Sequence, residues 1–199
     1  MRPIRVAAAT VNQVPLDWDG NRRRLQALLA QARDGGVSIL CLPELCLTGY
    51  GCEDEFLSPE VHRRAQAMLT ELLPETRGMA VCFGLPILLA KAVFNAVALV
   101  VDGRIAGVVA KRALAGDGIH YEPRWFKPWP RGESVTITLC GQRVRMGDIH
   151  FDLGGIKLGF EICEDAWIAE RPGVELALDA VDIILNPSAS HFSFGKHEV

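Results

Sequence analysis

Glu44, Lys111 and Cys163 are the residues of this chain whose types and settings could do chemistry together. Each stands just past an apolar run: Glu44 after "SILCLP", Lys111 after "IAGVVA" and Cys163 after "IKLGFEI". A thiol acting near neutral pH needs a base to take its proton, and a carboxylate lifted in pKa by burial can serve. An ammonium close to both favours thiolate and carboxylate, and it can hold the oxyanion of a tetrahedral intermediate. Taken by its neighbours, Cys163 is badly placed, because Glu161 and Glu164 flank it and negative charge opposes thiolate formation. An ammonium at about 4 Å in an effective dielectric near 20 contributes about 4 kcal/mol, about three pKa units, enough to outweigh a flanking carboxylate that points away. Plainer readings stay open from pattern alone. Glu44 after a proline also reads as a cap or turn residue, Lys111 as a solvated charge, and Cys163 as a core thiol.

The elements that must position these residues follow from periodicity. Ile4 to Thr10 reads as a short strand. Asn21 to Arg33 reads as an amphipathic helix with Leu25, Leu28, Leu29 and Ala32 on one stripe, stopped by Gly35-Gly36. Val37 to Leu42 is a continuous apolar run, as for a strand buried on both faces, so the first strands form a parallel pair with a crossover helix. A second helix is expected over Pro59 to Leu73, then a buried strand from Ala80 to Leu85 ending at Pro86. Phe94 to Val101 and Arg104 to Ala110 flank Asp102-Gly103, a hairpin signal. A second hairpin is expected between His150-Phe151 and Lys157 to Ile162, followed by a short helix over Pro172 to Ala180 and a strand over Val181 to Leu185. Crossover units mixed with hairpins imply one α/β domain of layered sheets. In such sheets ligand sites gather outside the carboxyl ends of strands, where all three candidates lie.

Composition narrows the function classes. The chain has 199 residues, 49% hydrophobic and 23% charged, enough for one globular domain with a sizeable core. A net charge of −3 gives no basic patch for nucleic acid, and Arg22-Arg23-Arg24 reads as a solvated helix face. No apolar stretch reaches membrane-spanning length, and the first residues lack the apolar core of a signal peptide, so the chain reads as a cytoplasmic, soluble protein without membrane attachment. The six cysteines form no C-x-x-C pair, so reduced thiols without a metal site are the default, with Cys82 and Cys140 read as small buried hydrophobes.

At the same three residues the sequence resembles the nitrilase superfamily of carbon-nitrogen hydrolases. The matching segments are "LPELCLTGY" (Leu42 to Tyr50), "VAKRALAGDGIHYEPRWF" (Val109 to Phe126) and "GFEICEDAW" (Gly159 to Trp167). Two further stretches, "LTGYGCEDEF" (Leu47 to Phe56) and "NPSASHFSFGKHE" (Asn186 to Glu198), resemble the amino-terminal glutaminase domain of the glutamine-dependent NAD+ synthetase branch. The resemblance implies an α/β, nitrilase-like αββα four-layer sandwich over residues 1–199. The chain's close on Lys196-His197-Glu198, short of the last sandwich elements, reads as a C-terminal truncation. It implies that Cys163 attacks the side-chain amide of glutamine and releases ammonia, that Glu44 is the base, that Lys111 holds the oxyanion, and that Glu122 orients Lys111. It places the charged ends of glutamine near Glu164, Trp167, Ser190 and Lys196. Glu164 also reads as a solvent-exposed charge, Trp167 as core and Ser190 as a turn residue. Asp117 stands where the branch often carries a tyrosine and is a further substrate-binding candidate.

The implied partners are L-glutamine, a synthetase domain in cis or in trans, and further copies of the chain in a homo-oligomer. No cofactor is implied for the glutaminase step. ATP and Mg2+ belong to a synthetase domain, whose Ser-Gly-Gly-x-Asp-Ser loop is absent from these residues. Two other functions fit the same residues: a stand-alone amidase or carbamoylase on another small amide, and a folded but inactive binding domain.

Overall fold

The computed structural model describes residues 3–118, 120–191 and 194–195. Strand β1 (Val6–Ala8) leads to helix α1 (Trp18–Asp34), and β2 (Ile39–Cys41) leads through a long turn to α2 (Pro59–Leu72). Three strands then follow in succession, β3 (Ala80–Leu89), β4 (Ala92–Val101) and β5 (Arg104–Ala110), and a one-turn helix α3 (Glu122–Trp125). Beyond it come the hairpin β6 (Ser134–Leu139) and β7 (Gln142–Gly147), and then β8 (Phe151–Asp152), β9 (Lys157–Phe160), α4 (Pro172–Leu178) and β10 (Ile183–Leu185). Strands β1 to β7 form one sheet in the order β1-β2-β3-β4-β5-β7-β6, and β10-β9-β8 form a second.

Alternation along the central strands decides how the layers stack. Leu40, Leu42, Val81, Phe83, Ala98 and Val100 face one way and pack under α1 and α2, against Leu25, Leu29, Leu69 and Leu72. Their neighbours Ile39, Cys41, Cys82, Val97 and Leu99 face the other way, against Leu158, Phe160 and Leu185 of the second sheet. Both faces of the large sheet are therefore apolar, as its unbroken hydrophobic runs require. Helix α4 closes the outer side: a Cβ at Gly159 would lie 2.7 Å from the Leu176 side chain. The result is the expected α/β, nitrilase-like αββα sandwich.

Local chemistry moves some boundaries. Helix α1 starts at Trp18, three residues before the expected Asn21, because the Asp17 carboxylate accepts from the Gly20 amide at 3.0 Å and caps it. Strand β3 does not end at Pro86 but runs on to Leu89, paired with β4 throughout. It pairs with β2 only as far as Cys82, so Pro86 sits where one side of the strand is open and a missing N–H breaks no ladder. Hairpin β6–β7 has no counterpart among the expected elements. It turns on Cys140-Gly141, with Cys140 at a φ of 50°, which leaves Cys140 half-buried, unlike the wholly buried Cys82. All six cysteines are free thiols. Among the described residues, no helix is long and apolar enough to cross a membrane.

Candidate active site

Glu44 opens a tight turn that leaves β2 at its carboxyl end. The turn needs Leu45 at a φ of 50°, and it presses on the backbone of β3. A Cβ at Gly84 would lie 2.2 Å from Leu45 N and 2.7 Å from Pro43 O, so only glycine lets the turn seat there. The carboxylate that emerges is buried, with two donors on one oxygen and one on the other. Oε1 accepts from Asn95 Nδ2 on β4 and from Lys111 Nζ, each at 2.7 Å, and Oε2 accepts from the Ala189 amide at 3.0 Å.

Lys111 is the first residue past β5, and its amide donates to the Asn95 carbonyl at 2.9 Å, so β4 fixes both of Glu44's side-chain partners. Its ammonium also donates to Glu122 Oε1 at 2.7 Å. Glu122, at the start of α3, is held in turn by the Tyr50 hydroxyl on Oε1 (2.8 Å) and by the Ala115 amide on Oε2 (2.9 Å). An ammonium has three hydrogens, and carboxylates take two of them here.

Cys163 follows β9 and starts a 3-10 turn, Cys163–Ala166, with a φ of 48°, a left-handed conformation that a non-glycine residue seldom adopts. Its amide donates to Pro187 O at 3.1 Å. The neighbouring Asp165 braces both segments. Its Oδ2 accepts from the Ile162 amide at 2.9 Å, and its Oδ1 accepts from the amides of Arg112 (3.0 Å) and Ala113 (2.7 Å). One buried carboxylate thus ties the residue before Cys163 to the two residues after Lys111. Burial pushes that carboxyl up to about 6 against the pull of these amides.

Glu161, one of the flanking glutamates, is drawn away from the sulfur. Glu161 is buried but turned to Arg171 Nε (2.8 Å) and the Gly173 amide (2.6 Å) at the start of α4. Glu164 is half-buried. The thiol is nevertheless pushed up to about 11, first by burial and then by the Glu44 charge, with Lys111 pulling the other way. The expectation that one ammonium would prevail is therefore corrected. Lys111 is shared between two carboxylates, burial and the Glu44 charge outweigh it at the sulfur, and Cys163 rests as a thiol. Burial also lifts the Glu44 carboxyl, opposed by Lys111 and assisted by Glu122. For Lys111 burial alone would lower the ammonium, but Glu44 and Glu122 together hold it above its ordinary value.

Two cavities open beside this cluster. One of 310 Å³ is lined by Glu44, Tyr50, Pro43, Gln13, Ala189 and Ser190 among others. The other, of 510 Å³, is lined by Glu161, Trp167, Arg171, Asn186, Ser188 and Ser190 among others. Ser188 and Ser190 wall both, and the Ser188 side chain and the Ala189 amide favour the Cys163 thiolate.

The structure thus brings Glu44, Lys111, Glu122 and Cys163 together, with Ser190 at both cavities. Trp167 is 75% exposed at the rim of the larger one, which excludes the core alternative. Asp117 is exposed on the loop after Lys111, and neither it nor Glu164 lines either cavity. Lys196 lies outside the described residues. Sequence reasoning missed Tyr50, Asn95, Gly84 and Asp165. Only Asp165, two residues past Cys163, carried a visible signal.

Known proteins share this arrangement of chain. It is 32% identical over 207 residues to the glutamine-dependent NAD(+) synthetase of Oryza sativa subsp. indica, covering 98% of this chain and 28% of that one. The corresponding figures for Saccharomyces cerevisiae are 33% over 208 residues, 97% and 29%. The crystal structure of a glutamine-dependent NAD(+) synthetase from Cytophaga hutchinsonii matches with a TM-score of 0.89 at 40% identity, over 98% of this chain and 32% of that one. The chain therefore spans less than a third of the length of these relatives. The profile of the carbon-nitrogen hydrolases matches residues 5–198, a span that includes Glu44, Lys111 and Cys163, and the chain belongs to that family.

Proposed function

We propose that this chain hydrolyses the side-chain amide of glutamine through a thioester on Cys163 and hands the ammonia to a synthetase module that converts deamido-NAD+ to NAD+. The observation that carries the reading is Lys111 Nζ at 2.7 Å from both Glu44 Oε1 and Glu122 Oε1, in a sealed cluster beside a thiol. The substrate comes from the relatives, which are glutamine-dependent synthetases.

Because Cys163 rests protonated, its proton leaves as the sulfur attacks. Glu44, its affinity for protons raised by burial, takes that proton and delivers it to the departing nitrogen. The C–N bond breaks, ammonia leaves and a thioester remains. Water then enters where ammonia stood, Glu44 takes its proton, and the tetrahedral intermediate expels the sulfur, which recovers a proton from Glu44. In both intermediates the third hydrogen of Lys111 meets the oxyanion, and Glu122 keeps the ammonium pointed there. Ser190 and Trp167, which line the larger cavity, hold the distal end of glutamine.

Ammonia release from glutamine, run with and without an added synthetase module, tests this. Cys163→Ala abolishes release and leaves the melting curve unchanged. Retained release, or turnover of another small amide with none of glutamine, overturns the reading.

A further inference from the structure

A line of hydrogen bonds leaves the buried cluster and reaches the surface. Glu122 Oε1 accepts from Tyr50 OH at 2.8 Å, Tyr50 OH lies 3.2 Å from His120 Nδ1, and His120 Nε2 lies 3.1 Å from His191 Nδ1. Donor counting gives the line a direction. Glu122 Oε1 accepts from both Lys111 Nζ and Tyr50 OH, so the single Tyr50 proton points to it. The Tyr50 oxygen must then accept from His120, which fixes the proton of the His120 ring on Nδ1. In the neutral ring Nε2 is left as the acceptor, facing His191. The rings of Tyr50 and His120 meet edge to face with centroids 5.8 Å apart, and those of His120 and His191 lie 5.3 Å apart. His120 belongs to the loop that follows Lys111, and His191 to the loop after β10 whose Ala189 amide holds Glu44.

We propose that His120 is a positioning residue for the Lys111–Glu122 pair, acting through the Tyr50 hydroxyl, with His191 holding its ring from the opposite loop. It deepens the amidohydrolase reading and rests on it. When His120 donates, the Tyr50 hydroxyl is committed to Glu122 and Glu122 Oε1 is shared between two donors. Without it Tyr50 is free to turn, Glu122 draws the ammonium toward itself, and Lys111 supports Glu44 and the Cys163 thiolate less.

The test is a double-mutant cycle on His120→Leu and Tyr50→Phe, read as the rate of Cys163 alkylation by iodoacetamide and located by peptide mass. This readout needs no amide substrate, so loss of the glutamine reading, seen as alkylation without ammonia release, is distinguishable from loss of this one. Each single variant slows alkylation about tenfold, the scale of one hydrogen bond to a charged group, and the double variant is no slower than either. His120→Asn, whose amide nitrogen can stand where Nδ1 stood, restores most of the rate. Melting curves accompany each variant. Multiplying effects in the double variant, or an Asn variant as slow as the Leu variant with both folded, overturn the proposal.

Discussion

Replacing Lys111 by Met removes the one positive charge from a cluster that holds two carboxylates. Each Nζ–Oε1 contact is 2.7 Å long with side chains no more than 1% exposed. At an effective dielectric near 20, each attraction is about 6 kcal/mol before desolvation is counted. Desolvation offsets much of that, and breaking a buried pair typically costs about 3–5 kcal/mol because the stranded charge stays buried. In a domain of this size that corresponds to a fall in Tm of about 6–20 °C. The loss also depends on pH. Without the ammonium, Glu44, lifted by burial and by the Glu122 charge, keeps its proton in the folded chain at pH values where the unfolded chain, with glutamate near about 4.3, has released it. The folded variant then binds more protons, so its stability rises as pH falls from about 8 toward 5. Wild type keeps the countercharge and gains less over that interval. Melting followed by circular dichroism across pH measures both effects. A variant melting within about 2 °C of wild type at pH 8, or losing more stability than wild type on acidification, would refute the reasoning.

Cys163, pushed up to about 11, is expected to alkylate about tenfold faster per pH unit between about pH 7 and 10, without the neutral plateau of a preformed thiolate. Glu44→Gln removes the negative charge second only to burial in raising that thiol, so alkylation at about pH 8 speeds up about tenfold, while amide turnover falls by about 10²–10⁴ with its base gone. Alkylation that is unchanged or slower in this variant contradicts the electrostatics. Gly84→Ala sets a Cβ 2.2 Å from Leu45 N, a contact with backbone that cannot swing aside, and is expected to cost about 1–3 kcal/mol and most of the turnover. Wild-type melting and turnover in that variant would remove the seat proposed for the Glu44 turn.

Much of the frame was legible because burial on both faces writes itself as continuous apolar runs. Ile39–Cys41, Ile183–Leu185 and the strands joined by Asp102-Gly103 all lie where those runs predict. Glu44, Lys111 and Cys163 stood out because a polar residue ending such a run has few places to go except the rim of the sheet. The hairpin of Ser134–Leu139 and Gln142–Gly147 was not legible: its turn is Cys140-Gly141, and a cysteine at positive φ is no turn signal. Tyr50, Asn95 and Gly84 carry no local mark either. Their importance comes from Glu122, Glu44 and Leu45, residues up to 72 positions away that only the folded chain brings near. Pattern could weigh one ammonium against one neighbouring carboxylate, but it could not show the burial of the sulfur or the approach of Glu44, which keep the thiol protonated.

The most direct test of a carboxylate, an ammonium and a thiol acting as one amidohydrolase site is intact-protein and peptide mass spectrometry of the chain quenched in acid during exposure to glutamine. One glutamyl group on the peptide containing Cys163, discharged by hydroxylamine and absent after Cys163→Ala, is the expected result. Ammonia released at the wild-type rate with no adduct on that peptide, and undiminished when the sulfur is removed, would contradict it.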